Sequence, residues 1–382
     1  MLIVIDVIYF YIYDGQSKAC PSISIVSNEL SMQHPYGNHH MLVKEIHPGI
    51  FRIRLPLPGK KPGPVNAYLF KGENITLLDT GTPLSIKQLK QGLAQTGVRF
   101  HDIDQIILTH GHIDHYSGTR LILRKKKANA RVFAHKADVS EIETGADAPL
   151  KAYHRFLLRA GIPLMTRLMI IIMFRWYQFL SLTCRVDNYI KNNDTIKLGN
   201  YQGRIIETPG HTRGSVCIHL ETENILFSGD HILSHITPIA LPMIDSQNWL
   251  PIRKSQDEFY QSLKTIQKIN PQVIFPAHGP SVRDFNETLA MYKDCFKKRQ
   301  NNLMTLIKKA ESKTLYQTAL QLFPNLDRKR LLLEIFLAIS EVYTHIQILE
   351  KEGRIATKIK NGKLYSEYLT RQDRNKNENS KN

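Results

Sequence analysis

Cysteine is scarce in this chain of 382 residues: there are four, Cys20, Cys184, Cys217 and Cys295. So few thiols, so widely scattered, exclude a disulfide-stapled scaffold. Cys217, inside the apolar run Val216-Cys217-Ile218, reads as a buried and inert thiol. A cytoplasmic location is the expectation. Long hydrophobic runs are missing too. In the most apolar region the longest is Leu168–Phe174, far short of the roughly 20 residues a spanning helix needs; no transmembrane segment is expected. The apolar stretch Leu2–Tyr13 is interrupted by Asp6 and lacks the basic leader of a secretory signal. Residues 15–40 are polar and aperiodic, so residues 1–40 read as a disordered upstream extension with Met41 as the natural start. Acidic residues are outnumbered by basic ones, 34 to 51, for a net charge of +17. Such a surface draws polyanions, although no run of aromatics interleaved with glycine supplies a stacking platform for single-stranded bases.

Histidine, by contrast, is concentrated where it carries chemistry. Thr109-His110-Gly111-His112-Ile113-Asp114-His115 follows the apolar run Ile106-Ile107-Leu108. Imidazole is the commonest protein ligand for a borderline metal, and carboxylate is its usual oxygen companion. Leaving a strand, His110 and His112 can face one metal while Asp114 and His115 turn toward a second. Three more ligand-like residues end apolar, strand-like runs: His211 after Thr208-Pro209-Gly210, Asp230 after Ser228-Gly229, and His278 after Pro276-Ala277. Glycine and proline flank them, as tight loops at strand ends require. A sulfur-free set of this kind points to catalysis, because structural zinc sites are usually closed and sulfur-rich.

These motifs, with Leu78-Asp79-Thr80-Gly81 upstream, resemble those of the metallo-β-lactamase-fold hydrolases. The resemblance implies an α/β fold, a four-layer αβ/βα sandwich with metals at the strand ends. It assigns His110, His112 and His211 to one metal, Asp114, His115 and His278 to another, and Asp230 to both. Asp79 would orient a metal-bound histidine. Two zinc ions are the expected cofactors, with iron or manganese tolerating the same ligands. Bound zinc can lower the pKa of a coordinated water from 15.7 to about 7, roughly 12 kcal/mol toward hydroxide at neutral pH. Asp114 is the candidate proton acceptor. His231, next to Asp230, is a candidate to contact substrate or protonate a leaving group, or else a core histidine; Tyr116 packs the start of the next helix.

Residues 41–300 are expected to form the catalytic domain, with Val43–Leu55 as a strand and Val65–Phe70 as another. Within it, residues 150–186 read as two amphipathic helices broken near Gly161-Ile162-Pro163. They are either core helices packed on the sandwich, a lid over an apolar pocket, or a basic amphipathic surface for a membrane. After a connecting helix at Phe285–Lys309, residues 301–371 read as a small winged-helix domain. Its helices are a short one at Leu315–Phe323 and faces at Leu331–Leu337 and Val342–Leu349. Gly353 is placed as a cap, and a hairpin turns at Asn361-Gly362. Residues 372–382 are a polar, disordered tail. The arrangement resembles the lactamase-β-2-like subgroup.

The favoured function is metal-dependent hydrolysis of a small ester, thioester or lactone by metal-bound hydroxide. The alternative is a single-stranded RNA endonuclease that uses the same metals and the basic C-terminal module. In that module, residues 281–382 carry 20 basic against 12 acidic side chains. A non-catalytic nucleic-acid binder is the third reading. The appended domain is expected to form a homodimer contact or a wall over the active site rather than to contact nucleic acid.

Overall fold

The computed structural model describes residues 41–57, 62–125, 130–145, 150–242, 253–309 and 313–370. The expected extension at 1–40 and the tail at 372–382 lie outside them, as do Lys126 and Lys127 of the basic run.

Strand β3 (Val65–Phe70) is buried on both faces, through all six of its residues. Alternate side chains must therefore meet two different layers. Val65, Ala67 and Leu69 join an outer core with helix residues Leu89, Leu93 and Ile122. Tyr68 and Phe70 join an inner core with Ile205, Ile218 and Phe227 of a second sheet. The first sheet runs in order from β1 (Val43–His47) and β2 (Ile50–Leu55) through β3, β4 (Thr76–Leu78), β5 (Gln105–Ile107) and β6 (Arg131–His135) to β7 (Asn188–Ile190). It is antiparallel up to β4 and parallel thereafter. The second sheet comprises β8 (Thr195–Leu198), β9 (Tyr201–Glu207), β10 (Val216–Leu220), β11 (Ile225–Gly229) and β12 (Val273–Pro276). Only β11 and β12 pair in parallel there.

Helices cover both outer faces. The first is covered by α1 (Ile86–Gln95), the short α2 (Ile113–Tyr116), α3 (Thr119–Lys125) and α4 (Val139–Thr144). The second is covered by α7 (Ser255–Ile269) and α8 (Phe285–Lys309), through Phe259, Leu263, Leu289 and Tyr292. The four layers are thus helix, sheet, sheet, helix. The single strand expected over Val43–Leu55 is two strands. Pro48 has no N–H for a ladder, and Gly49 takes φ +71°, where a Cβ would meet the Lys71 carbonyl oxygen at 2.9 Å.

The two helices expected after residue 150 are α5 (Leu150–Arg159) and α6 (Leu164–Leu180), and they break at Gly161 as anticipated. Their apolar faces pack on the C-terminal region. Phe156, Leu157, Ile162 and Ile170 share one core with Leu303, Leu337, Leu349 and Leu364 of the C-terminal region. Phe174 meets Phe336 edge-on at 4.9 Å, and a Cβ at Gly161 would fall 2.8 Å from Thr314.

In that C-terminal region, α9 (Leu315–Leu322) leads to α10 (Leu331–Lys351), then to the hairpin β13 (Ile355–Lys360) and β14 (Lys363–Tyr368). Asn361 and Gly362 both take positive φ, as the hairpin turn requires. The two expected helical faces at 331–337 and 342–349 are one continuous helix, a correction to the expected arrangement. The intervening Ser340 donates to the Phe336 carbonyl, and Glu341 pairs with Arg299 of α8, so neither polar residue forces a break. Among the described residues α10 alone is long and apolar enough to cross a bilayer, yet 83% of its apolar window is buried inside the molecule. It is a core helix. Helix α8 runs across residue 300, so the sandwich and the C-terminal region share it.

Candidate metal centre

Six loops at strand ends converge on one edge of the sandwich. They follow β4, β5, β6, β9, β11 and β12, and five of them carry the residues anticipated as ligands or ligand-orienting groups. His110, His112, His211 and Asp230 form one buried cluster, and Asp114, His115 and His278 form another; within each, the potential ligand atoms lie within 4.8 Å of one another. The loop after β5 bends through Thr109 to Gly111 and reaches His112 in an extended conformation, which brings His110 and His112 into the same cluster. It then closes into α2, whose single turn presents Asp114 and His115.

The distances are compatible with ligands around a metal. Nδ1 of His112 is 3.0 Å from Nε2 of both His110 and His211. Asp114 Oδ2 lies 3.6 Å from His115 Nε2 and 3.3 Å from His278 Nε2. Asp230 faces both groups, with Oδ2 at 3.6 Å from His211 Nε2 and 3.7 Å from His115 Nε2, and Oδ1 at 3.5 Å from His278 Nε2. Four ligands placed tetrahedrally at about 2.1 Å from a zinc ion stand about 3.4 Å apart.

The outward ring nitrogens settle the tautomers. A carbonyl oxygen can only accept, so His211 Nδ1, 3.0 Å from the Ile239 carbonyl, carries hydrogen. His278 Nδ1 does so as well, against the Gly63 and Pro64 carbonyls at 3.1 and 3.2 Å. His115 Nδ1 donates to Asp79 Oδ2 at 2.9 Å. Thr109 donates its one hydroxyl proton to the same Oδ2 at 2.8 Å, so it must accept from His110 Nδ1 at 3.0 Å. Every one of these rings therefore carries hydrogen on Nδ1 and turns Nε2 inward. The inward nitrogens of His115 and His278 have no hydrogen-bond partner; they face carboxylate oxygens.

Charge tells the same story. Burial holds His110 well below its usual range and pushes His112 down to about 3, with neighbouring histidines adding to both. Burial lowers His211 as well, against the pull of Asp230. For His115 and His278 burial acts in the same sense, but Asp114 and Asp230 outweigh it and raise both. Asp230 and Asp114 are lowered in turn, despite burial, by His278 and His115. Asp114 and Asp230 thus draw positive charge to this end of the site.

Asp79 is where it was expected, beneath His115. Its φ of +58° and its acceptance of the Thr109 N–H at 2.9 Å fix the carboxylate against the loop after β5. Thr109, which links Asp79 to His110, was quoted in the sequence but given no role there. Asp138 was missed altogether. It is buried after β6 and accepts from Gly111 N at 2.8 Å, Thr212 Oγ1 at 2.6 Å and Gly214 N at 2.6 Å. It thereby ties the loop of His110 and His112 to the loop of His211. Its only clue in the sequence is a position just past the strand ending Phe133-Ala134-His135. Gly229 has φ +51°, and a Cβ there would fall 2.9 Å from the Thr109 side chain. His231 joins neither cluster. It is buried with its ring 4.7 Å from that of Phe259 on α7, and burial pushes it down to about 3. Tyr116 is buried in the outer core of the first sheet, and Cys217 is a free, buried thiol pushed up to about 12 by burial.

Comparison with known proteins gives concordant findings. A family model, the Metallo-beta-lactamase superfamily, matches residues 61–278. The chain is similar to "Probable metallo-hydrolase YqjP" of Bacillus subtilis, 26% identical over 327 residues, covering 84% of this chain and 98% of that protein. It is similar to "Acyl-coenzyme A thioesterase MBLAC2" of Bos taurus, 26% identical over 204 residues, 50% of this chain and 63% of the other. Its fold is similar to the crystal structure of metallo-beta-lactamase family protein TTHA1429 from Thermus thermophilus. The TM-score is 0.71 at 23% identity, over 85% of this chain and all of that one.

Proposed function

Because this chain belongs to the metallo-beta-lactamase superfamily, as the family match across residues 61–278 establishes, and is a hydrolase, we propose that it hydrolyses a small acyl thioester with two divalent metal ions. The observation that carries the two-metal part is the convergence of inward-facing ring nitrogens and carboxylate oxygens. His115 Nε2 and His278 Nε2, both buried, face the oxygens of Asp114 and Asp230 at 3.3 to 3.6 Å, and those carboxylates draw positive charge to both rings. Five buried histidines and two carboxylates arranged in that way make a site that cations fill. In this reading His110, His112 and His211 hold one ion, Asp114, His115 and His278 the other, and Asp230 both. Nitrogen and oxygen donors without sulfur suit zinc, and iron or manganese by the same chemistry.

Bound there, such ions supply Lewis acidity toward a carbonyl and lower the pKa of water. The chain's own residues do the rest. Asp79 and Thr109 hold two imidazoles, one from each cluster, in the tautomer that leaves Nε2 free. Asp114 Oδ2, between His115 and His278, is the oxygen we assign to accept a proton. His231, packed on Phe259, we assign to the supporting core. The thioester reading rests on the similarity to a protein named as an acyl-coenzyme A thioesterase. We read the end of α8 with α9, α10 and the β13–β14 hairpin as a winged-helix-like module that braces α5 and α6. The test is hydrolysis of a panel of acyl thioesters, with single-stranded RNA as the comparison substrate and Asp230→Ala as the control. Thioester turnover lost in the variant supports the proposal; turnover of RNA alone overturns it.

A further inference from the structure

We propose that α6 docks this protein onto an anionic phospholipid surface. The proposal does not depend on the metal centre. One side of α6 is buried with Ile170 in the C-terminal core, while the other is apolar and open. Met165, Leu168, Met169, Ile172 and Trp176 are 68%, 41%, 50%, 56% and 54% exposed. At 3.6 residues per turn these five fall within an arc of about 100°. A contiguous apolar stripe on that scale marks an interaction surface rather than scattered exposure.

Charge says which surface. Residues 150–186 contain six lysines and arginines and no aspartate or glutamate. Arg175 is exposed beside the stripe. One turn before it, Ile171 lines a cavity of about 520 Å³ together with Lys151, His154 and Arg155 of α5. An apolar face with an aromatic residue, carried on helices whose charged residues are all cationic and beside a basic cavity, complements lipid tails below anionic headgroups. A second copy of this chain would instead set the same cations against one another.

The test uses the full chain with Trp249→Phe, which leaves Trp176 as the single tryptophan. Vesicles of phosphatidylglycerol and phosphatidylcholine should shift Trp176 emission to the blue and sediment the protein at low salt; phosphatidylcholine alone should do neither. High salt should reverse binding. Arg155→Gln and Arg175→Gln should each weaken it about fivefold, and Met169→Glu with Ile172→Glu should weaken it more than tenfold while leaving the melting temperature and hydrolysis in solution unchanged. Emission that ignores phosphatidylglycerol vesicles overturns the proposal. So does a dimer that the double variant dissolves, since the face would then belong to a second copy.

Discussion

Replacing Asp79 by Asn isolates the step on which the proposed centre depends, the tautomer of His115. The backbone is spared, because φ at residue 79 is +58° and asparagine adopts that region as readily as aspartate. The steric change is one of atom type alone. The Asp79 carboxylate accepts three hydrogen bonds: one from Thr109 N at 2.9 Å, one from Thr109 Oγ1 at 2.8 Å and one from His115 Nδ1 at 2.9 Å. An amide can keep its oxygen on the Thr109 N–H, but its NH2 then meets two donors. His115 relieves that conflict by moving its proton to Nε2, where the lone pair is needed, and Thr109 turns its hydroxyl proton toward His110. Both clusters are affected through one substitution. Loss of an outer hydrogen-bond partner of this kind costs about 10- to 100-fold in metal affinity or activity, or about 1.4–2.7 kcal/mol. Competition with a chelator measures the affinity, and kcat/KM on an acyl thioester measures the activity. Thr109→Val, which breaks only the link to His110, should fall nearer the lower figure. Wild-type metal affinity in Asp79→Asn would refute the tautomer argument.

Three other outcomes follow from the packing. Gly229→Ala places a Cβ 2.9 Å from the Thr109 side chain at φ +51°, which costs about 1–2 kcal/mol of backbone strain; metal retention should fall with the melting temperature. Arg299→Met leaves the buried Glu341 without its partner on α8 and should cost about 3–5 kcal/mol in urea unfolding, whereas an unchanged midpoint would show the pair to be idle. His345 on α10 is fully buried, and burial, with Arg299 adding to it, pushes it down to about 3. The unfolded chain takes up this proton near the ordinary value of 6.5 and the folded chain does not, so stability is lost as pH falls through that window, by about 1.4 kcal/mol per pH unit. With chelator present in both samples, His345→Leu should flatten that difference, and parallel pH profiles would contradict it.

How much of this could be seen in the amino-acid order depends on range. The seven clustered residues were legible because they follow four apolar strand-like runs, four of them together in one short motif, so a local pattern announces a position at one edge of a sheet. Asp79 was legible for the same reason, in Leu78-Asp79-Thr80-Gly81. Asp138 was not, since it acts on Gly111, Thr212 and Gly214, 27 to 76 residues away. The role of Thr109 emerges only when its single hydroxyl proton is allotted between two neighbours. Periodicity showed that α5 and α6 have apolar faces but not that these would pack against α10. Two faces at 331–337 and 342–349 were expected where α10 is one helix, since the arginine that compensates the intervening Glu341 lies on another helix.

The most direct measurement is the metal content of the full-length protein purified without added metal, beside that of Asp230→Ala. Two equivalents per chain in the wild type, falling to one or none in the variant together with hydrolysis, is the predicted result. A fully active wild type that holds one equivalent or fewer, or a variant that keeps both ions, would contradict a centre in which Asp230 is shared.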